Sequence, residues 1–175
     1  MAELDAMVVG QVARDLVLLV DEVPGPAGTA PARRRRELPG GKGANQAVGL
    51  AQLGARPGLL GVVGDDDIAE RLLARARADG VDVRAVLRRA GTPTGLILDL
   101  VDAGGRWRYV EDLPEPTLLT EADVTGAADA LRAARAVLVQ LQQPPAAAIA
   151  AARIGRAAGR RRRGPPSATP AAGPP

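Results

Sequence analysis

The apolar residues of this chain form two kinds of pattern that alternate along its length. Short, mostly apolar runs predict buried β-strands at 6–10, 59–63, 83–87 and 136–141. Apolar residues that recur every three or four positions predict helices at 43–53, 65–79, 120–134 and 145–158. Strands that alternate with helices are typical of a parallel sheet covered by helices, so the sequence predicts an α/β fold.

A second group of strand-like segments does not follow this alternation. Residues 14–20 and 32–38 are predicted to pair across a turn rich in proline and glycine. Residues 95–101 and 106–110 are predicted to form a hairpin around a short turn that contains two glycines. These segments predict a small additional sheet.

The most distinctive stretch of the chain runs from Pro39 to Gln46 with the sequence PGGKGANQ. Its glycines let the backbone turn tightly and approach a ligand closely. The predicted helix begins directly after it, so unpaired N–H groups and the helix dipole favour electron-rich ligands here. Lys42 adds a cation and Asn45 an amide that both donates and accepts, which predicts a binding loop. A glycine turn that only caps the helix is the alternative.

Two common glycine motifs can be tested against this stretch. A phosphate-binding P-loop requires glycine at the position of Arg36 and serine or threonine at the position of Gly43, which excludes it. A dinucleotide-binding fingerprint requires glycine or alanine where Gln46 stands, which argues against it. A fragment of a Rossmann oxidoreductase is therefore the least favoured interpretation.

Composition limits the chemistry that the 175 residues can perform. Cysteine and histidine are absent and Lys42 is the only lysine, so acid–base chemistry falls to carboxylates or to this lysine. Phenylalanine is absent too, and the only aromatic residues are Trp107 and Tyr109. Both fall on one face of the second hairpin strand, where we expect packing on the small sheet rather than a stacking platform.

The charges do not indicate a polyanion-binding groove, although the net charge is +3. The arginines concentrate in two runs, Arg33–Arg36 and Arg160–Arg163, and the other charges are mixed in sign. We therefore expect solvated faces and no nucleic-acid partner. Asp65–Asp67 are expected to cap the helix that follows them rather than to bind a metal. No apolar segment is long enough for a membrane span and the N-terminus lacks a signal pattern, so the expected location is cytoplasmic.

Four separated motifs occur in one order along the chain: GGKGAN at 40–45, GVVGDD at 61–66, GVDV at 80–83 and TPTG at 92–95. In this order they resemble the sugar kinases of the ribokinase (PfkB) family, over roughly residues 5–155. The resemblance implies a ribokinase-like three-layer Rossmann-type α/β sheet with a small β lid, formed by strands near 14–38 and 94–110. It covers the N-terminal half of such a kinase, so residues 1–155 are expected to form an incomplete domain without the C-terminal half.

The same resemblance implies ATP-dependent phosphorylation of a sugar. It places the following residues at the sugar: Asp15, Gly40, Gly41, Lys42, Asn45 and Gln142. The general base of the family, an aspartate in a Gly-Ala-Gly-Asp motif, does not occur in this sequence. We therefore expect the chain by itself to transfer no phosphate and to bind ATP and Mg²⁺ poorly. The alternative is a non-catalytic module that binds a sugar or forms a homodimer through the lid sheet.

The sequence departs from the ribokinase members of the family at several site positions. Ala13 stands where they have asparagine, Gln142 where they have glutamate, and 112–116 where they have a Gly-Ala-Asn-like segment. The substrate class therefore stays open among a pentose, a hexose and a nucleoside.

From about Arg156 the chain reads RAAGRRRRGPPSATPAAGPP, which offers almost nothing to bury. Residues 156–175 are therefore expected to form a disordered tail. One hypothesis is that a reading-frame shift or a truncation replaced the C-terminal half. The alternative is a natural basic tail that binds polyanions.

Overall fold

The structure is a computed structural model and describes residues 4–158. The strands are β1 (Ala6–Val9), β2 (Ala13–Val20), β3 (Ala32–Gly40), β4 (Pro57–Leu60), β5 (Val62–Gly64), β6 (Leu87–Arg89), β7 (Leu96–Val101), β8 (Trp107–Asp112) and β9 (Val137–Val139). The helices are α1 (Lys42–Gln52), α2 (Asp67–Ala78), α3 (Glu121–Gly126), α4 (Ala128–Ala133) and α5 (Pro145–Ala157).

The centre of the fold is a parallel sheet in the order β4-β1-β9. Helices cover both faces because successive side chains of a strand point to opposite sides. Val8 and Leu59 pack toward α1 and α2, whereas Val9 and Leu60 pack toward α3, α4 and α5. All four side chains are almost completely buried, which is why the strands read as continuous apolar runs. The predicted three-layer α/β architecture is confirmed.

The second sheet has the order β3-β2-β7-β8 and is the predicted lid. β2 pairs antiparallel with β3 and parallel with β7, and β7 pairs antiparallel with β8 as the predicted hairpin. The two middle strands are half-buried, while β8 is exposed along its whole length. Trp107 and Tyr109 lie on one face as predicted. They stack on each other with ring centroids 5.3 Å apart and remain more than half exposed, so they are not packed beneath the sheet.

Three predicted elements differ from the structure. The strand predicted at 59–63 is divided at Gly61 into β4 and β5, and β5 pairs with β6 in a separate two-stranded parallel sheet. The strand predicted at 83–87 is wrong, because the Arg84 backbone N–H donates to the Asp82 side chain and the Val86 N–H donates to the Val83 carbonyl, which makes a turn. The paired strand comes later, as β6. The helix predicted at 120–134 is divided at Ala127 into α3 and α4, directly after Gly126, whose helix propensity is low.

The remaining segments follow the predictions more closely. Asp66 caps α2 by accepting a hydrogen bond from the Ala69 backbone N–H, as expected for this acidic cluster. α5 continues to Ala157, past the predicted start of the tail at residue 156. The rest of the predicted tail, 159–175, lies outside the described residues. Within residues 4–158, no helix has the length and apolar character needed to cross a membrane.

Candidate sugar-binding site

The glycine stretch forms the junction between the lid and the central domain. β3 ends at Gly40, and α1 begins at Lys42 with Gly41 as its N-cap. Gly41 has a φ of 83°, a conformation that residues with a Cβ rarely adopt. A Cβ at this position would also lie 2.6 Å from the Gln11 carbonyl oxygen. Glycine is therefore required here by both the backbone conformation and the space available.

The start of α1 lies directly against the end of β1. A Cβ on Gly10 would lie 2.8 Å from the Gly43 Cα, so the two backbones are in contact. The Ala44 N–H donates to the Gln11 carbonyl at 3.1 Å and fixes this crossing. The glycine loop is thereby held at the carboxyl end of the central strand, which is where ligands bind in parallel α/β sheets.

Asp15 lies in β2 beside this loop. A Cβ on Gly40 would collide with the Asp15 carboxylate, so glycine leaves the room that this side chain occupies. Its Oδ1 is buried and has no hydrogen-bond partner among the described residues. Burial, together with the negative charge of Asp99, raises the pKa of Asp15 to about 6, against the lowering effect of a hydrogen bond from the Gly41 backbone. The group is a buried acceptor that a ligand hydroxyl can satisfy.

Lys42 and Asn45 lie in the first turn of α1, and both are exposed. No side chain caps this helix N-terminus and no acidic residue occupies its first turn. The helix dipole and the lysine charge therefore both favour electron-rich ligands at this end of the helix. Donors of this kind suit the oxygen atoms of a sugar.

Polar residues also follow β9, the third strand that ends at this edge. Gln142 is exposed, and its Oε1 accepts a hydrogen bond from Gln140 Nε2 at 3.0 Å. Gln140 is only 6% exposed and packs against Gly10, so it lies next to the glycine loop. The sequence predicts that residues 140–143 lie at this edge, because a strand ends there, and the family pattern selected only Gln142 among them as a sugar contact. A glutamine that directly follows a buried apolar run was the signal available for Gln140.

The described cavities do not coincide with this site. A cavity of about 780 Å³ lies at the opposite end of the central sheet, between the start of β1 and helices α3 and α4. Its lining is mostly small and apolar and includes Met7, Ala127 and Ala130, but none of the predicted site residues. Residues 4–158 also contain no cluster of three or more acidic, histidine or cysteine side chains suited to a metal ion.

Comparison with known proteins gives one consistent result. The profile of the pfkB family carbohydrate kinases matches residues 3–168. The chain is 30% identical over 149 residues to a nucleoside kinase of Methanothermobacter thermautotrophicus, covering 80% of this chain and 45% of that protein. It is 42% identical over 74 residues to the ribokinase of Bacillus subtilis, covering 42% of this chain and 25% of that protein.

Solved structures agree with the sequence relatives. The crystal structure of Sa239 superposes with a TM-score of 0.81 at 28% identity and covers 90% of this chain and 52% of its own. Arabidopsis thaliana ribokinase complexed with ribose and ATP superposes with a TM-score of 0.74 at 26% identity. The match covers 91% of this chain and 52% of the Arabidopsis chain. The chain thus spans about half the length of these structures and less than half of the sequence relatives.

Proposed function

The chain belongs to the pfkB family of carbohydrate kinases, and we propose that it forms the sugar-binding half of an ATP-dependent sugar kinase. One observation carries this proposal: the partnerless, buried Oδ1 of Asp15 lies beside glycines that keep the site open. A buried acceptor without a partner costs about 1–3 kcal/mol. A sugar hydroxyl that donates to Asp15 offsets this cost.

The other site residues supply complementary contacts in this proposal. The backbone at Gly40 and Gly41 approaches the sugar ring closely because no Cβ intervenes. Lys42 and Asn45 donate hydrogen bonds to sugar oxygens, and the Gln142 amide reaches the sugar from the end of β9. Phosphoryl transfer depends strongly on how the attacking hydroxyl is oriented. Fixing several hydroxyls at once is thus the contribution of this half of the molecule.

The phosphate donor does not fit the residues of this chain. Arabidopsis ribokinase has been solved with ribose and ATP, and we expect the intact enzyme to use ATP with Mg²⁺. The described part of the chain offers no carboxylate cluster for Mg²⁺, and the sequence contains neither a P-loop nor the Gly-Ala-Gly-Asp motif of the family. We therefore assign no residue of this chain to ATP or to the transfer step.

The proposal is tested with the purified 175-residue chain and three probes, D-ribose, D-fructose and adenosine. We expect at least one of them to raise the melting temperature in the absence of ATP, and none to be phosphorylated when ATP and Mg²⁺ are added. Absence of both the base and the electrostatic stabilisation of the transferred group should cost many orders of magnitude in rate. Sugar-dependent ATP consumption would show that the chain is a complete catalyst.

Matched glycine variants separate binding from general stability. Gly40→Ala places a Cβ against Asp15 and should abolish the sugar-induced shift. Gly49 lies within α1, where a Cβ meets nothing within 4 Å. Gly49→Ala should therefore keep the shift and stabilise the unliganded chain by about 1 kcal/mol. Equal sugar responses from both variants would argue against the loop as the binding site.

A second candidate function is a non-catalytic module that pairs through the lid. Trp107, Tyr109 and Val110 are all more than half exposed on the edge strand β8. Such exposed apolar side chains favour a partner surface, and a second copy of this chain carries the same residues. Insensitivity to every sugar combined with stable dimers would favour this candidate.

A further inference from the structure

Gln140 combines two properties that rarely occur together in a folded protein. The residue is only 6% exposed, yet its Oε1 is buried without a hydrogen-bond partner among the described residues. Its Nε2 is satisfied, since it donates to Gln142 Oε1 at 3.0 Å. Most buried polar side-chain atoms have a partner, so an orphaned carbonyl oxygen requires an explanation.

The position of Gln140 suggests that explanation. A Cβ on Gly10 would lie 2.9 Å from the Gln140 Cβ and 2.8 Å from the Gly43 Cα. Gln140 therefore packs where β1 ends and α1 begins, at the far end of the glycine loop. Asp15 lies at the near end, against Gly40. Three residues of chain span at most about 10 Å, so the two side chains flank a short segment.

The orphaned atoms in the described part of the chain are concentrated around this loop. They are Arg14 Nε, Asp15 Oδ1 and Gln140 Oε1. The Arg14 side chain is otherwise paired, because its Nη2 lies 3.0 Å from Glu37 Oε1. The remaining two are acceptors, one at each end of the glycine loop. Two acceptors in this arrangement match a ligand that presents hydroxyl donors on two of its edges.

We propose that Gln140 is a substrate-contacting residue whose Oε1 accepts a hydrogen bond from a hydroxyl of a neutral sugar or nucleoside, while Asp15 accepts from a second hydroxyl. The inference rests on the proposed sugar-binding function and extends it beyond the glycine loop. An orphaned carbonyl on Gln140 disfavours a phosphate or carboxylate as its ligand, because oxygen acceptors would face each other. The hydrogen bond from Gln140 to Gln142 also leaves the Gln142 amide N–H groups available to the sugar.

A neighbouring glutamine provides the matched control. Gln143 is 4% exposed, and its Oε1 accepts a hydrogen bond from the Leu119 backbone N–H at 2.9 Å. Its amide is therefore occupied in holding the chain before α3. Gln143→Leu should lower the melting temperature of the unliganded chain because it leaves the Leu119 N–H without a partner.

Gln140→Leu should behave in the opposite way. It removes an unsatisfied carbonyl, so the unliganded melting temperature should stay equal or rise. The affinity for the best of the three probes, D-ribose, D-fructose or adenosine, should fall at least about tenfold, since a hydrogen bond from the ligand is lost. Gln140→Met, which keeps the unbranched shape, provides a second variant if the branched side chain disturbs folding.

The experiment is isothermal titration of the full 175-residue chain with the three probes, accompanied by melting curves without ligand. Unchanged affinity in Gln140→Met and Gln140→Leu, with wild-type binding intact, would overturn the role of Gln140 alone. A loss of unliganded stability as large as that of Gln143→Leu would also overturn it, because the amide would then be structural. Absence of binding by the wild-type chain would overturn the sugar-binding proposal, and the inference would fall with it.

Discussion

Asp15 makes the stability of the unliganded chain depend on pH. Its pKa of about 6 lies above the ordinary value of 3.8, first because of burial and second because of Asp99. The folded state therefore favours the protonated carboxyl more than the unfolded state does. The stability that this residue contributes is fully present below about pH 3.8 and is lost as the pH rises through 6.

Asp15→Asn should remove this pH dependence, because the amide stays neutral throughout. When the pH is raised from about 4.5 to about 7.5, the melting temperature of the unliganded wild-type chain should fall by more than that of the variant. The variant should consequently melt higher than wild type at pH 7.5. Asp129→Asn is the control, since the Asp129 side chain is fully exposed. Parallel pH profiles for wild type and Asp15→Asn would contradict the assigned pKa.

At the same scale, some features of the candidate site can be read from the sequence and others cannot. The glycine stretch is visible because several glycines in succession before a helix have few structural uses. The need for glycine at 41 is local, since it follows from a positive φ. The burial of Gln140 is not visible locally, because Gln140 packs against Gly10, which lies far away in the chain. Apolar spacing contains no information about which polar atoms lose contact with water.

At the level of elements, one hydrogen-bond network holds the start of the lid strand β7 against the central domain. The Gly64 N–H donates to Thr94 Oγ1 at 3.1 Å, and Thr94 Oγ1 donates to Asp66 Oδ1 at 2.6 Å. Asp66 also accepts the Thr94 N–H while capping α2. Next along the chain, the Gly95 carbonyl accepts the Arg14 N–H at 2.7 Å. The network thus connects the central domain to two lid strands, β7 and the strand β2 that contains Asp15.

Thr94→Val should disturb this connection while keeping the shape of the side chain. The buried Gly64 N–H loses its acceptor and Asp66 loses a donor, so the free energy of unfolding should fall by about 1–3 kcal/mol. Urea unfolding measures the change. Thr125→Val, at an exposed helical position whose hydroxyl bonds only its own helix, should change it by less than about 0.5 kcal/mol. Equal effects of the two substitutions would show that the network does not hold the lid.

The sequence predicted strands and helices correctly where the pattern of apolar residues fits only one type of element. β1 and α1 were found because an apolar run and a helical repeat each have one simple structural solution. The segment at 83–87 failed because Val83 is buried without being paired in a sheet. Asp82 captures the Arg84 N–H and turns the chain there. An apolar run predicts that a segment is buried, but it does not predict whether the backbone is extended. Here a local hydrogen bond from the backbone to a side chain produces a turn.

For the whole molecule, the central sheet and the lid sheet differ in how their strands are paired. β9 pairs with β1 on one side only, so the central sheet ends at an unpaired strand within the described residues. The solved relatives extend about twice as far as this chain. The lid sheet, in contrast, includes four strands that pair along most of their length, with one register shift between Leu19 and Val20. Association through the lid and association through the β9 edge are therefore separate possibilities that an experiment must distinguish.

We expect the chain to form a homodimer through its lid. The aromatic pair on β8 is more than half exposed, and burying it against a second copy removes a large apolar area from water. Trp107→Glu combined with Tyr109→Glu should therefore yield monomers in sedimentation velocity runs. Leu53→Glu is the control, because Leu53 is 86% exposed but lies at the end of α1, away from the lid. If the double variant still dimerises, the contact lies elsewhere, and the unpaired edge of β9 becomes the surface to test. If the wild-type chain is monomeric at all concentrations, the lid forms no dimer.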